Sequence, residues 1–153
     1  MALNTTFTSG NVLTAAQMNN LPWGVAGKAQ NTSDFILSST SAAVPNTTVT
    51  WTAVSTRLYK ITVYCYFEVS SGTGVVAAQI FNVGTGVRVQ EGGTYASALS
   101  YPSVHLSLYE SGLSGTQTRR INSLFFGGGI TAAKCIGNAN FPTTIIVEDI
   151  GLA

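Results

Sequence analysis

The sequence predicts an all-β chain, an antiparallel two-sheet jelly-roll sandwich over residues 31–153 preceded by a short helical segment within residues 1–30. Three observations carry that prediction. Only 8% of the 153 residues are charged while 45% are hydrophobic, against about 25% charged in an ordinary soluble domain. The missing charge is replaced by Ser, Thr, Asn and 16 glycines; Thr with Val, Ile, Tyr and Phe favours strands, and Gly and Asn favour tight turns. Short apolar runs separated by those turns fill the chain from Asp34 onward, and no helix-period run longer than about ten residues interrupts them, which argues against an α/β architecture.

The first 30 residues read differently. Asn4 to Gly10 is extended or irregular, and Leu13 to Asn20 offers a short helix in which Thr14 and Gln17 have the spacing of a capping box, with Pro22 stopping it. A helix of under about two turns does not hold in water by itself. Phe7, Leu13, Met18, Leu21 and Trp23 therefore need a surface to cover, either the body of the same chain or a neighbouring protein.

The strands follow in order: Phe35 to Ser38, Thr48 to Val54, Leu58 to Val69, Val75 to Val83, Val87 to Gln90, Val104 to Tyr109, Thr116 to Phe126, Ile130 to Ile136 and Thr143 to Ile150. Glycine-bearing turns such as Ser70 to Gly74, Gly92-Gly93 and Gly127 to Gly129 divide them. Leu58 to Val69 alternates most cleanly: Tyr59, Ile61, Val63, Cys65, Phe67 and Val69 form one face, and Lys60, Thr62, Tyr64, Tyr66 and Glu68 the other. The first face is core. The second carries two tyrosines, a composition that a subunit interface favours. Eight or so antiparallel strands in about 120 residues suit a jelly roll, and an immunoglobulin-like sandwich gives a similar tally. Repeats, heptads and Gly-X-Y triplets are missing, so the chain supplies no solenoid or fibre shaft of its own.

Composition also narrows function. A formal charge of +1 gives no field to steer the chain toward nucleic acid or an anionic membrane. Neither a signal peptide nor a membrane span is expected, since no basic residue precedes Lys28 and the longest apolar stretch, Val75 to Val83, is broken by Gln79 and Asn82. Few surface ions near neutrality favour association, a sign of an oligomer or of part of a large particle.

Candidate chemistry is sparse. Cys65, Cys135 and the single histidine, His105, are too few for a structural zinc site, and each cysteine sits in a strand-like run where a free thiol packs as a small hydrophobe. His105 shares a face with Ser107 and Tyr109, as a surface or interface residue would. A Cys135, His105, Asp149 triad can be written, but a triad is a geometry and not a composition. Glu148 and Asp149 are strand neighbours pointing to opposite faces, so a calcium ion would need oxygens from elsewhere. Gly127 to Gly129 lacks the lysine and helix of a phosphate loop and reads as a flexible turn. Arg119 and Arg120 point to opposite faces, each suited to pairing with a carboxylate. Three Asn-x-Ser/Thr matches, at Asn4, Asn31 and Asn46, are chance in a Thr-rich chain. No catalytic residue, cofactor or metal is expected.

The opening Phe7-Thr-Ser-Gly-Asn-Val-Leu-Thr-Ala-Ala-Gln-Met-Asn-Asn-Leu-Pro-Trp-Gly-Val25 resembles the N-terminal segment of small virion structural proteins of tailed actinobacteriophages, of the minor tail or head decoration type, and Thr143 to Gly151 resembles their terminal strand. The middle is similar to the C1q and tumour-necrosis-factor type of trimeric jelly roll, in which an aromatic-rich sheet face packs around a threefold axis; Leu58 to Phe67 would be the matching strand, with Tyr64 and Tyr66 at the axis. The resemblance implies a non-enzymatic virion component assembled in the host cytoplasm. It would be a homotrimer fixed to other virion proteins through Phe7, Leu13, Met18, Leu21 and Trp23, with no nucleic-acid partner and no membrane insertion. The alternative is a receptor-binding module for host-surface glycans, with exposed Tyr95, Tyr101 and Tyr109 supplying rings for sugar faces.

Overall fold

The structure is a computed structural model and describes residues 21–153. Eleven strands follow in chain order: β1 (Gly24–Asn31), β2 (Phe35–Ile36), β3 (Ala42–Ala43), β4 (Val49–Ala53), β5 (Arg57–Ser71), β6 (Thr73–Asn82), β7 (Val87–Ser97), β8 (Ser103–Glu110), β9 (Gly115–Phe126), β10 (Ala132–Ile136) and β11 (Thr143–Leu152). Among the described residues there is no helix, and every strand pair is antiparallel.

The strands form two sheets. In the first, β8 lies on one edge of β5, while β11 and then β10 share the other edge end to end. β1 extends the sheet beyond β11, and β2 extends it beyond β10. The second sheet runs β7-β6-β9, with β4 and β3 side by side along the far edge of β9. The chain crosses from one sheet to the other between β2 and β3, β4 and β5, β5 and β6, β7 and β8, β8 and β9, and again after β9. Only β6 and β7 are joined as a hairpin within a sheet.

Alternation in β5 builds the core. Tyr59, Ile61, Val63, Cys65, Phe67 and Val69 all point inward and are buried, meeting Val76, Ala78 and Ile80 of β6, Ile121 of β9, and Ile145 and Val147 of β11. Each large apolar side chain removed from water in this way stabilises the sandwich by about 1.5–3 kcal/mol. At one end of this layer Trp51 packs on Tyr59 with ring centroids 5.9 Å apart, and the Tyr59 hydroxyl accepts a hydrogen bond from the Val54 amide at 2.9 Å.

Several strand limits differ from the sequence expectation. β1 crosses the expected boundary between residues 30 and 31, so Gly24 to Gln30 form part of the sheet and pair with β11. The two-residue β3 was not expected, and β7 runs seven residues past Gln90, through Gly92 and Gly93. These glycines do not mark a turn. A Cβ at Gly92 would sit 2.5 Å from Leu106 Cδ2, so the missing side chain lets β7 close over β8. The expected helix at residues 13–20 lies outside the described residues, as do Phe7, Leu13 and Met18.

The Gly127 to Gly129 turn is packed where a flexible loop was expected. Gly129 donates its amide to Thr73 O at 2.6 Å. Across that contact Gly72, at φ +87°, has its backbone so near Gly129 O that a Cβ would lie 1.9 Å from the oxygen. Gly72→Ala should therefore cost about 2 kcal/mol or more, from strain and a backbone clash together. Gly86, at φ +69° with nothing within 4 Å of an added Cβ, isolates the strain alone. Thermal unfolding should show Gly72→Ala losing at least about 4 °C more than Gly86→Ala; equal losses would mean that the backbone contact contributes nothing.

Candidate functional site

The outer face of the first sheet gathers the aromatic residues that the alternation of β5 turns away from the core. Tyr64 stands opposite His105 of β8, and their rings meet edge to face at 4.7 Å. Tyr66 contacts His105 at 6.5 Å and Phe141 at 5.4 Å, both near-perpendicular. Such tilted pairs align ring edges with ring faces and add about 0.5–1.5 kcal/mol each beyond burial. Charge flanks this face: Lys60 pairs with Glu148 at 4.0 Å at one end, Lys134 bridges Asp34 and Glu68 at 2.7 and 3.1 Å at the other, and Lys28 of β1 lies exposed beside Ile146 along the β1 margin. Between them, β5, β8 and β11 present Thr62, Tyr64, Tyr66, His105, Ser107, Thr144 and Ile146, with no carboxylate, lysine or arginine among them.

A groove of about 360 Å³ opens beside Tyr66, with Phe67 and Ile136 below and Tyr101, Ser103 and Phe141 around it. Tyr101 is 71% exposed and Phe141 51%. Tyr95, Tyr101 and Tyr109, the candidate rings for sugar faces, are all exposed but do not converge. Tyr95 lies on the outer face of the second sheet, Tyr109 on that of the first, and only Tyr101 borders the groove. Phe141 was missed by the sequence reading, because its loop carries no strand signal.

The entry of the N-terminal segment is fixed by a buried ion pair. Arg57 and Asp149 are 2% and 1% exposed. Arg57 Nε donates to both Asp149 oxygens at 3.0 and 2.8 Å, and Nη2 donates to Oδ1 at 2.5 Å. The Gly151 amide adds a fourth bond to Oδ1 at 3.1 Å. The same guanidinium donates to Leu21 O at 2.6 Å and lies 4.4 Å from the centre of the Trp23 ring. Thus Leu21 by its carbonyl and Trp23 by its ring meet the chain's own body, and the other three expected anchor residues lie outside the described region.

The remaining candidates separate. His105 faces outward and Cys135 inward, while Asp149 is held by Arg57, so the three do not form a triad. Glu148 and Asp149 point to opposite faces, and Arg57 takes the Asp149 oxygens that a calcium ion would need. Arg119 turns inward, donates to Glu110 at 2.9 and 3.2 Å and lies 5.5 Å from the Trp51 ring. Arg120 turns outward to Asn122 Oδ1 and the Phe81 ring. Among the described residues no group of three or more His, Cys, Asp or Glu is placed to hold a metal. Both cysteines are free and buried.

No family model and no curated protein matches the sequence. Among solved structures, a chain of the T13 particle of infectious bursal disease virus is similar at a TM-score of 0.47 and 11% identity, covering 88% of this chain and 37% of that one. A subunit of Bacillus endospore appendages, which are disulfide-linked pili, matches at a TM-score of 0.39 and 17% identity over 94% of this chain and 99% of its own. Tailspike protein 4 of bacteriophage CBA120 matches at 0.29 and 12% identity over 74% and 15%. This chain thus spans little more than a third of the first of these proteins. The likenesses are loose, and nothing about its role follows from them.

Removing one partner of the buried pair leaves an uncompensated charge, so Arg57→Met should destabilise the fold by about 3–5 kcal/mol, whereas Arg57→Met with Asp149→Leu should recover most of that. Urea unfolding of the wild type and the two variants decides it; a loss under about 1 kcal/mol in Arg57→Met would sink the assignment. A second expectation concerns acid. The hydrogen bond from Lys134, helped by the Gly137 amide, holds Asp34 below its ordinary pKa. Its stabilising contribution is therefore present above the unfolded value and is lost as pH falls below about 4 through the lowered folded value. Asp34 is 43% exposed, so the effect is small. Urea midpoints should nevertheless fall less steeply below pH 4 in Asp34→Asn than in the wild type.

Proposed function

We propose that the chain is a non-enzymatic structural component of a phage virion, a minor tail or capsid decoration protein. In this reading it assembles in the host cytoplasm as a homotrimer and is fixed to other virion proteins by its N-terminal segment. The observation that carries the reading is the aromatic cluster on the outer face of the first sheet, with Tyr64 and Tyr66 each in ring contact with His105 on the side turned away from the core. A sheet face that meets only water is ordinarily polar along its whole length, whereas depletion of charge with enrichment in tyrosine marks the centre of a subunit interface. Two antiparallel layers of six and five strands, with the chain passing repeatedly between them, support the jelly-roll body. The resemblance of Phe7 to Val25 and of Thr143 to Gly151 to phage virion proteins supports the setting.

Recognition of a host-surface glycan is a second reading, favoured by the groove beside Tyr66 with Tyr101 exposed at its rim. Tyr101→Ala should then abolish binding to host cell-wall glycan without changing the oligomer.

Light scattering tests the first reading. The monomer is 16.0 kDa, and the wild type should run at three times that mass, while Tyr64→Glu with Tyr66→Glu should return it to monomer with the same far-UV spectrum. A wild-type monomer at micromolar concentration would reject the trimer. The anchor is tested separately: alanine at Phe7, Leu13 and Met18, leaving Trp23 on Arg57, should keep the fold and the oligomer but prevent incorporation into particles.

A further inference from the structure

Two buried thiols lie together in the core, and nothing in the proposed function uses them. Cys135 of β10 stands opposite Phe67 of β5. Cys65, two residues along β5 on the same inward face, is therefore its diagonal neighbour, and both side chains are fully shielded from solvent. The surroundings are polar for a core. Thr143 Oγ1 lies 2.9 Å from Cys135 Sγ and also donates to Ile136 O at 3.1 Å. Ser123 reaches in from the second sheet with a buried hydroxyl that makes no hydrogen bond. The two thiols are not equivalent: a hydrogen bond from Cys65, seconded by Thr143, holds Cys135 below the ordinary thiol pKa against the opposing effect of burial. Burial first, and then the neighbouring Cys135, push Cys65 well above it.

We propose that Cys65 and Cys135 are a latent intrachain disulfide, a modification site at which a low-molecular-weight disulfide oxidises the pair and ties β10 covalently to β5. Diagonal strand neighbours lie about 7–8 Å apart at Cα and closer at Cβ, just beyond the usual bridging range, so closing the bond needs a movement of about 1 Å. β10 can supply it. The strand has five residues, is bulged between Ala132 and Ala133, and pairs with β2 at only Lys134 and Cys135. A cleft of about 170 Å³ runs along its flank between Ile36 and Ser70. Such a short ladder opens at a lower free energy than the central strands, and that opening admits the reagent.

The more acidic thiol attacks first. Cys135 loses its proton and its thiolate displaces one half of the reagent, RSSR, forming Cys135–S–S–R; the departing RS⁻ takes up a proton to become RSH. Cys65 then loses its proton and attacks Cys135 Sγ, the mixed disulfide breaks, and a second RSH leaves. Two thiols are oxidised by two electrons in all, and one RSSR is reduced to two RSH. In the virion reading the same chain passes from a reducing cytoplasm to an oxidising exterior, where disulfides persist; the thiol chemistry itself holds whether or not that reading does.

The full-length protein is incubated folded with glutathione disulfide, quenched with acid, denatured, alkylated and peptide-mapped. The expected result is a peptide bridging Cys65 and Cys135 within one chain, no alkylatable thiol, an unchanged far-UV spectrum and a midpoint of thermal unfolding raised by about 5 °C or more. Cys65→Ser should stop at a glutathione adduct on Cys135, whereas Cys135→Ser should take up the adduct at least about tenfold more slowly, as the order of attack requires. Two alkylatable thiols after days of exposure would overturn the proposal, as would a persistent wild-type adduct or bridging only between chains. The wild-type map needs no variant to fold, and light scattering on the same sample reports the trimer independently.

Discussion

The fold hangs on the two free edges of β5. Over Tyr59 to Tyr66 one edge is taken by β8, while the other is taken by β11 up to Tyr64 and by β10 from Tyr66 onward. A one-residue slip of β5 would turn six core side chains to solvent and bring Lys60 and Glu68 inside. Desolvating those charges costs several kcal/mol apiece, so the register is set by what must stay out as much as by what must go in. The same constraint fixes the outer face. Once Ile61, Val63 and Cys65 point inward, Thr62, Tyr64 and Tyr66 have no choice but to point outward, and β8 sets His105 between the two tyrosines.

The Arg57–Asp149 pair sits where β5 begins and β11 ends, and it performs a task that the apolar core cannot. Replacing such a pair by well-packed hydrophobic residues is often neutral for stability, so its value lies in direction more than in energy. A guanidinium has donors left over after a bidentate carboxylate contact. Here they catch the Leu21 carbonyl and leave the flat face of the cation under the Trp23 ring. Leu21 and Trp23 are consequently held at a fixed point at the head of β1.

Legibility in the sequence followed the range of the interaction involved. Strict period-2 alternation made β5 and its two faces readable, so Tyr64 and Tyr66 could be placed outward from spacing alone. β1 was missed because Gly24 to Asn31 is built from glycine, alanine and polar residues with little strand preference; its pairing with β11 supplies what propensity does not. Gly92 and Gly93 read as punctuation, since glycine within a strand signals a turn unless the neighbouring strand is known, and here Leu106 occupies the space beside Gly92 and Val75 that beside Gly93. The pairings across 92 residues, between Arg57 and Asp149, and from Cys65 to Cys135 depend on which strand lies beside which. No local pattern carries that information. The three tyrosines offered as rings for sugar faces lie apart for the same reason, because a spacing along the chain does not say on which sheet a residue falls.

Low charge connects these features. With few ions to place, the chain uses them for specific tasks: Arg57 and Asp149 fix the N-terminal entry, Arg119 and Glu110 close one flank of the core, and Lys134 ties β10 to Glu68 and to Asp34. Little remains to keep the aromatic face of the first sheet apart from another apolar surface. A protein of this kind gains solubility most readily by covering that face. The edges supply the complement to this argument: a sheet that associates through its strand edges propagates without limit, whereas one that associates through a face closes on itself with a fixed number of copies. β1, one edge strand of the first sheet, begins with Gly24 at φ +84° and is irregular between Val25 and Gly27, so it offers a poor template for another strand; β8 forms the opposite edge. In the proposed reading, the economy of charge that leaves the aromatic face uncovered directs association to that face, while the irregular β1 discourages strand addition on its side.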